Sequence, residues 1–148
     1  MIQLTPVALN QLPTFDEMDR QPHAVRFVFQ IGLEGHHRYY ADPNVRYLNI
    51  ECAGEFLGYF ILAHEPEAET VEFRRILLDK DARGVGQAAI LAMEKYCRET
   101  YAMQRIWLDV YEDNEVGIHI YEKLGYAKFD QQRHDGRWLL FYQKYFSS

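Results

Sequence analysis

The chain has 148 residues, of which 48% are hydrophobic and 26% are charged, and it carries a net charge of −6. This composition is typical of a soluble globular protein that buries its own core, and we expect one domain over residues 1–148. The negative charge argues against nucleic acid or a membrane as a partner and favours a cationic small molecule or peptide. The sequence shows no leader, no apolar run of membrane-spanning length and no metal-binding spacing of its two cysteines. We therefore expect a cytoplasmic protein with reduced thiols and no metal.

The first half of the sequence predicts a strand, a helical region and an antiparallel meander. Ile2 and Leu4 alternate with polar residues as a short strand does. Residues 8–38 have a loosely helical pattern that we expect Pro13 and Pro22 to interrupt. Three strands of a meander are predicted, over residues 45–50, 56–63 and 70–78, separated by a turn at 53–55 and an acidic loop at 65–69.

The second half of the sequence predicts helices alternating with strands. A run of helix formers covers residues 85–101, the alternating segment RIWLDVY covers 105–111, and a second helix follows at 115–124. Gly125 fits the position after a helix end, and the sequence closes with a hairpin whose arms are 127–132 and 138–145. We therefore predict an α/β fold with a mixed sheet, in which an antiparallel N-terminal meander precedes a βαβαβ C-terminal half.

The segment Arg83-Gly84-Val85-Gly86 connects the predicted strand 70–78 to the helix that follows it. Glycines leave no side chain between the unpaired amides of a helix start and a ligand, and Arg83 adds a positive charge. The loop therefore suits a phosphate or pyrophosphate. A tight turn whose glycines only satisfy backbone angles is the alternative. Gln87 stands where a Walker-type loop needs Lys, and the order of elements before the loop is not that of a dinucleotide-binding fold.

A second candidate segment, YEDNEVGIHIYEKLGYAKF, covers residues 111–129. Asn114 ends a predicted strand and can cap the next helix. Tyr121 falls near one helical face with Gly117 and Leu124, where a tyrosine is most simply part of the core.

Taken together, RGVGQAA and YEKLGY, which lie about 30 residues apart in the expected elements, resemble the GNAT superfamily of acetyl-CoA-dependent N-acetyltransferases. The resemblance covers nearly the whole chain and is closest over residues 70–129. The order of elements is also similar to that of the family. One departure is Asp81, which stands where the family usually has Arg or Gln, and we expect its side chain to turn to solvent.

The resemblance implies a set of cofactor contacts. The pantetheine arm of acetyl-CoA would pair with the backbone of Ile76, Leu77 and Leu78, and Asn114 would fix that arm or the strand-to-helix turn. The pyrophosphate would lie on the backbone amides of six consecutive residues, Arg83, Gly84, Val85, Gly86, Gln87 and Ala88.

The resemblance also implies the catalytic groups. The acceptor amine attacks the thioester directly in a ternary complex and must be neutral to do so. Glu72 is the expected base, with Glu69 in reserve, and the alternative for Glu72 is a surface pairing with Arg74 or Arg75. Tyr121 would protonate the leaving thiolate or donate a hydrogen bond to it.

The predicted activity is therefore acetyl transfer from acetyl-CoA to a primary amine of a polyamine-like or other cationic small molecule, or of a peptide N-terminus. The alternatives are a non-catalytic acyl-CoA-binding sensor and a structural domain that binds no CoA. We expect a monomer or homodimer.

Two further segments give weaker expectations. His36 and His37 are expected in a polar loop near the acceptor site, because no further metal ligands occur at a usable spacing. The aromatic segment 138–142 is expected to face the core, or else to form a sheet edge that pairs with a second subunit.

Overall fold

The computed structural model describes residues 1–82 and 84–147, which form one mixed sheet flanked by helices. The strands are β1 (Ile2–Pro6), β2 (Val45–Cys52), β3 (Glu55–Glu65), β4 (Thr70–Leu78), β5 (Arg105–Tyr111), β6 (Ala127–His134) and β7 (Arg137–Tyr145). The helices are α1 (Leu12–Asp19), α2 (Gly32–Ala41), α3 (Gly86–Thr100) and α4 (Glu115–Lys123). Within these residues, no helix combines the length and the apolar character that crossing a membrane requires.

The sheet has the strand order β1-β2-β3-β4-β5-β7-β6. Strands β2 to β4 form the predicted antiparallel meander, and β1 pairs antiparallel with β2. Strand β5 runs parallel to β4, with α3 as the crossover between them. The predicted fold class is thereby confirmed. Strand β7 lies between β5 and β6, so the aromatic segment 138–142 is interior to the sheet. The alternative that this segment forms the sheet edge is wrong, because the exposed strand β6 occupies that edge.

Each face of the sheet buries its own apolar layer. Strand β3 reads as a continuous apolar run because it is central and covered on both sides. Phe60 and Leu62 join the layer that packs against α3 and α4, whereas Tyr59 and Ile61 join the layer under α1 and α2. All four side chains are fully buried. The two layers hold the central strands rigidly, so a site between β4 and β5 has a fixed frame.

Local sequence signals set several element boundaries. Asp135 and Gly136 both have positive φ values, 51° and 75°, as a two-residue hairpin turn requires. Gly125 has a φ of 99° just after α4, as predicted. Pro13 does not interrupt the helical region, because it lies in the first turn of α1, where a proline removes no intrahelical hydrogen bond.

Candidate functional site

Strands β4 and β5 separate to form an open wedge. They pair only from Thr70 to Glu72 on β4 and from Arg105 to Trp107 on β5. Arg74 is an extra residue in β4, because the register with β3 passes from Ile61–Arg75 directly to Leu62–Phe73. Such a bulge bends its strand and increases its twist. The bend carries the second half of β4 away from β5 and leaves a gap between the two strands.

A cavity of about 500 Å³ occupies this wedge. One wall consists of the end of β4, the start of α3 and one face of α4 with the turn before it, with Leu78, Gly86, Asn114, Gly117 and Tyr121 among its residues. The other wall consists of the segment between α1 and α2 and the ends of β5 and β7, with Phe27, Phe29, Asp109, Tyr111 and Leu139 among its residues. The cavity therefore connects the helix side of the sheet to the side on which the α1–α2 segment lies.

The backbone of β4 is partly free on the side that faces the wedge. Asp79 donates its N–H to the carbonyl of Leu57 at 2.8 Å, and hydrogen-bonded pairs alternate with non-bonded pairs along antiparallel strands. In this register the backbone groups of Leu77 turn toward β3, whereas those of Ile76 and Leu78 turn into the wedge. Of the three residues predicted to pair with a cofactor arm, Ile76 and Leu78 therefore have backbone groups available.

His23, in the segment between α1 and α2, contacts this free backbone. Its Nε2 lies 2.9 Å from the carbonyl oxygen of Leu78, which accepts the hydrogen bond. The His23 side chain is exposed and can leave without unburying apolar surface. A ligand that pairs with the end of β4 would displace this one contact.

The start of α3 presents uncapped amides beside the cavity. The N–H of Ala89 is bonded to the carbonyl of Val85, so the amides of Gly86, Gln87 and Ala88 precede the first intrahelical hydrogen bond. The described residues supply no side-chain cap at Val85. These amides, with the positive end of the helix dipole, form the kind of site that binds an anion.

The two glycines of this loop have different roles. Gly84 has a φ of 76°, a conformation that strains any residue with a Cβ. Gly86 has an ordinary helical backbone, and an added Cβ would lie 3.7 Å from each of two neighbouring carbon atoms, so the fold has room for it. The backbone turn explains Gly84 but not Gly86. Arg83 lies outside the described residues, and Asp81 is exposed.

Tyr121 lies on α4 and lines the cavity. Its ring packs edge-on against Phe73 of β4, with 5.9 Å between the ring centroids. Burial, and to a smaller extent the charge of Asp109, raise the pKa of the Tyr121 hydroxyl, which therefore stays protonated at neutral pH. Tyr121 therefore offers a protonated hydroxyl in the first wall of the cavity.

Asn114 shapes the turn that ends β5 and begins α4. Its side-chain oxygen accepts a hydrogen bond from the backbone N–H of Gly117 at 3.0 Å, as an N-cap does. It also lines the cavity. Its capping oxygen is already engaged, so the structure assigns it to the strand-to-helix turn, one of the two roles predicted for it.

The carboxylates predicted to act as a base lie away from the cavity lining. Glu72 accepts two hydrogen bonds from the guanidinium of Arg74, at 2.9 and 3.2 Å, which is the pairing that the sequence offered as the alternative. Glu69 is exposed and lies before β4, at the end where β4 and β5 are still paired. Neither side chain is among those that line the cavity. Glu72 as the base remains a prediction.

Asp109 of β5 is a carboxylate that lines the cavity and that the sequence-based prediction missed. Burial, together with the nearby charge of Glu72, raises the pKa of Asp109 from 3.8 to about 6. In RIWLDVY the alternation places Asp109 on one strand face with Trp107 and Tyr111, opposite the buried Leu108. A single carboxylate between two aromatic residues of that face was the available signal.

A buried polar cluster anchors the segment that forms the second wall. His36 bonds to Asp19 through Nε2 at 2.7 Å and to the Tyr47 hydroxyl through Nδ1 at 2.6 Å. Arg75 donates to the same Asp19 oxygen at 2.9 Å, and the Tyr59 hydroxyl donates to the other. Removing one member would leave a buried charge or dipole unpaired, which is costly. The cluster therefore fixes α1 and α2 against the sheet.

The expectation that His36 lies in a polar loop is wrong, and the buried cluster that contains His36 also reaches the cavity wall. His36 is fully buried in α2 rather than placed in a polar loop, because Asp19 and Tyr47, remote in sequence, supply its partners. Arg75 also donates to the backbone carbonyl of Phe29, which lines the cavity.

Ligand atoms of Asp16, Asp19 and His36 lie within 4.8 Å of one another. Because these groups have protein partners, the geometry gives no reason to place a metal there.

An ion-pair cluster at the rim joins three segments around the cavity mouth. Asp113 accepts hydrogen bonds from Arg26 and, at 2.7 Å, from Arg137. Arg137 also donates to the backbone carbonyl of Arg26 at 2.7 Å, and its guanidinium lies 3.6 Å from the ring centroid of Tyr111. The hydrogen bond from Arg137 lowers the pKa of Asp113, which keeps it charged. The α1–α2 segment, the β5–α4 turn and β7 are thereby connected at the rim.

Comparison with known proteins gives one matching family model, described as the acetyltransferase (GNAT) family, over residues 10–126. The spermidine N(1)-acetyltransferase of Escherichia coli strain K12 is 25% identical over 144 residues. That alignment spans 90% of this chain and 77% of the relative.

Solved structures with the same fold include two acetyltransferases. Spermidine N-acetyltransferase from Vibrio cholerae, in complex with CoA and spermine, matches with a TM-score of 0.83 at 14% identity, over 97% of this chain and 95% of that one. Another structure of the Vibrio protein, described as dodecameric, matches with a TM-score of 0.77 at 15% identity, over 97% and 93% of the two chains. An aminoglycoside acetyltransferase in complex with coenzyme A and kanamycin matches with a TM-score of 0.80 at 16% identity, over 98% and 95%. At these identities the likeness establishes the fold.

Proposed function

The chain belongs to the acetyltransferase (GNAT) family of acetyl-CoA-dependent N-acetyltransferases, and on this premise we propose that it acetylates a primary amine of a small cationic molecule. The observation that carries the proposal is the wedge cavity. Its first wall offers contacts for a CoA thioester and includes Tyr121, and its second wall is largely apolar and includes the carboxylate of Asp109. A reaction between two substrates that enter from opposite sides fits this arrangement.

The first wall has the chemistry that acetyl-CoA needs. The uncapped amides of Gly86, Gln87 and Ala88 suit a pyrophosphate. The free backbone groups of Ile76 and Leu78 suit the amides of a pantetheine arm. Bound there, acetyl-CoA would supply the thioester that is attacked. Gly86 supports this assignment, because the fold itself has room for a Cβ at that position.

The residues at the meeting point of the two walls suit direct transfer. The amine nitrogen forms a bond to the thioester carbon, the carbon–sulfur bond breaks, and the sulfur leaves with the electron pair. Tyr121 lines the cavity and its hydroxyl is protonated, so it can donate a proton or a hydrogen bond to that sulfur. A carboxylate takes the proton that the nitrogen loses.

The acceptor is a cationic amine, in our proposal polyamine-like or otherwise a small molecule or peptide N-terminus. The chain has a net charge of −6, and Asp109 and Asp113 line the cavity. Arg26 and Arg137 both pair with Asp113, and Arg74 pairs with Glu72, so Asp109 is left as a lining carboxylate without an ion-pair partner among the described residues. This carboxylate and the net negative charge of the chain favour a cation. Among the relatives, two are described as acting on spermidine and one is bound to kanamycin, which are all polycationic amines.

The test is release of free CoA thiol from acetyl-CoA in the presence of an amine panel, with mass spectrometry of the products. Spermidine, kanamycin, lysine and a short peptide with a free N-terminus cover the proposed classes, and a neutral aromatic amine is the control. We expect an N-acetylated product with a polycationic amine and little with the neutral one. CoA binding without transfer to any amine would contradict the proposal and favour the non-catalytic sensor.

Two expectations accompany the proposal. We expect a monomer or homodimer, and the dodecameric Vibrio relative makes this a point to measure by light scattering. We also expect the reaction to take place in the cytoplasm, which fractionation of cells that express the protein would test.

A further inference from the structure

We propose that Asp109, rather than Glu72, accepts the proton that the acceptor nitrogen loses during acetyl transfer. The inference rests on the proposed function and assigns one chemical step of it. Three features carry it: the position of Asp109 where β4 and β5 part, the lack of a partner for its carboxylate among the described residues, and the pairing of Glu72 with Arg74.

The register of the sheet places Asp109 at the opening of the wedge. Glu72 is the last residue of β4 that pairs with β5, and it lies opposite Trp107. Asp109 comes two residues later, so it lies on the same strand face as Trp107, one step beyond the last paired position. Because β4 has turned away at that point, the Asp109 side chain lines the cavity. The carboxylate therefore lies where the two walls meet.

The two carboxylates differ in their partners. Glu72 accepts two hydrogen bonds from Arg74 on its Oε1 atom, so a proton on this carboxylate would weaken a charged pair. Among residues 1–82 and 84–147, no side chain forms a hydrogen bond or an ion pair with the Asp109 carboxylate. A partly buried carboxylate without a partner is costly for the fold. Such a cost is expected where the group serves catalysis.

Charged and titratable groups from four elements face Asp109. Glu72, Arg74 and Arg75 approach from β4, His134 from β6, Tyr121 from α4 and Tyr111 from its own strand. Burial and Glu72 disfavour the ionised form of Asp109, and the arginines and His134 favour it. Together these effects give Asp109 a pKa of about 6. At neutral pH its carboxylate is therefore ionised, and it is a stronger base than an exposed carboxylate.

The step starts from the neutral amine, so a cationic acceptor first releases one proton from its ammonium group to solvent. As the nitrogen–carbon bond forms, the nitrogen becomes positively charged and acidic, and Asp109 accepts its proton. As the carbon–sulfur bond breaks, the sulfur takes a proton from Tyr121. Net transfer of one proton from Asp109 to Tyr121, directly or through solvent, restores both groups. The products are the N-acetylated amine and the free thiol of CoA.

The test compares Asp109→Asn with Glu72→Gln, which make the same chemical change on adjacent strands. Glu112→Gln is the control, because Glu112 is exposed and lies outside the cavity lining. For each protein, kcat and KM with acetyl-CoA and spermidine are measured from pH 5 to 9, and CoA affinity is measured by calorimetry. Carbon-13 NMR of the carboxyl groups of the free protein gives a readout that does not depend on turnover. Asp109→Glu keeps a carboxylate and serves as the conservative variant.

We expect Asp109→Asn to lower kcat at pH 7.5 by about 100-fold or more, the usual contribution of a general base, with CoA affinity unchanged. The wild-type profile should lose activity below a midpoint near 6, and Asp109→Asn should lack that limb. Glu72→Gln should cost far less, and Asp109→Glu should recover part of the rate. In the free protein, one carboxyl carbon should titrate near 6 and be missing from Asp109→Asn.

Three results would overturn the assignment. Wild-type kcat in Asp109→Asn would show that the group takes no proton, and a raised KM with unchanged kcat would show that it only binds the amine. A larger loss in Glu72→Gln than in Asp109→Asn would return the role to Glu72. A wild-type protein that acetylates no amine would contradict the proposed function itself, and this outcome is distinguishable from the three results above.

Discussion

Asp109→Asn should stabilise the protein at neutral and alkaline pH, although it removes a group that we assign to catalysis. The substitution keeps the shape of the side chain and removes its charge. In the folded protein the pKa of Asp109 rises from 3.8 to about 6, chiefly because of burial. Ionised Asp109 therefore opposes folding, and the neutral amide does not.

The size and pH dependence of this effect follow from the pKa. The folded protein holds the Asp109 proton more tightly than the unfolded chain does. The associated stability is fully present below pH 3.8 and is lost as the pH rises through about 6. A rise from 3.8 to about 6 corresponds to about 3 kcal/mol of unfolding free energy, which is an upper figure because the side chain is partly exposed. For a chain of this length, that is up to about 6–12 °C in Tm.

Thermal unfolding of both proteins between pH 4 and pH 8.5 measures the difference. We expect nearly equal Tm values at pH 4, a gap that opens through pH 5–6, and a constant advantage for Asp109→Asn above about pH 7. Glu112→Gln, on the exposed surface, should follow the wild type throughout. A variant that is less stable than the wild type at pH 8 would show that the Asp109 charge has a partner in the fold, and the reasoning would fail.

Four further substitutions test other parts of the site. Tyr121→Phe should lower kcat by about tenfold or more. Its Tm should stay unchanged, because no described residue accepts a hydrogen bond from the Tyr121 hydroxyl. Normal turnover would remove Tyr121 from the mechanism. Gly84→Ala should cost about 1 kcal/mol of unfolding free energy in denaturant titrations, because its φ is 76°, whereas Gly86→Ala should keep stability and weaken CoA binding. Equal stability losses in both would refute the distinction. His23→Ala should tighten CoA binding by about fivefold in calorimetry, because one competing hydrogen bond to Leu78 is removed; weaker binding would show that His23 contacts the cofactor instead.

The sequence predicted those parts of the structure that local chemistry decides. The strand over residues 70–78 and the strand over 105–111 were predicted with their observed bounds, because each is rich in strand-forming residues and lies between clear breaks. Asn114 was predicted as a helix cap from its place before an amphipathic run, and the structure confirms it. Recognition of the family came from two short segments and is confirmed by the family comparison.

The sequence did not reveal contacts between distant residues. His36 was misplaced because Asp19 and Arg75, which lie far from it along the chain, determine that it is buried. Asp109 was missed because its importance depends on where β4 parts from β5. That point is set by a bulge at Arg74, which no pattern in the sequence marks.

The central claim is that the glycine loop and the wedge bind acetyl-CoA. The most direct measurement is calorimetric titration of acetyl-CoA and CoA into the wild type, Gly86→Glu and Leu91→Glu. The last of these adds the same charge at an exposed position on the same helix. We expect saturable micromolar binding to the wild type and Leu91→Glu, and loss of binding in Gly86→Glu. Absence of binding to the wild type at millimolar cofactor would contradict this claim, because it would mean that the glycines only turn the chain.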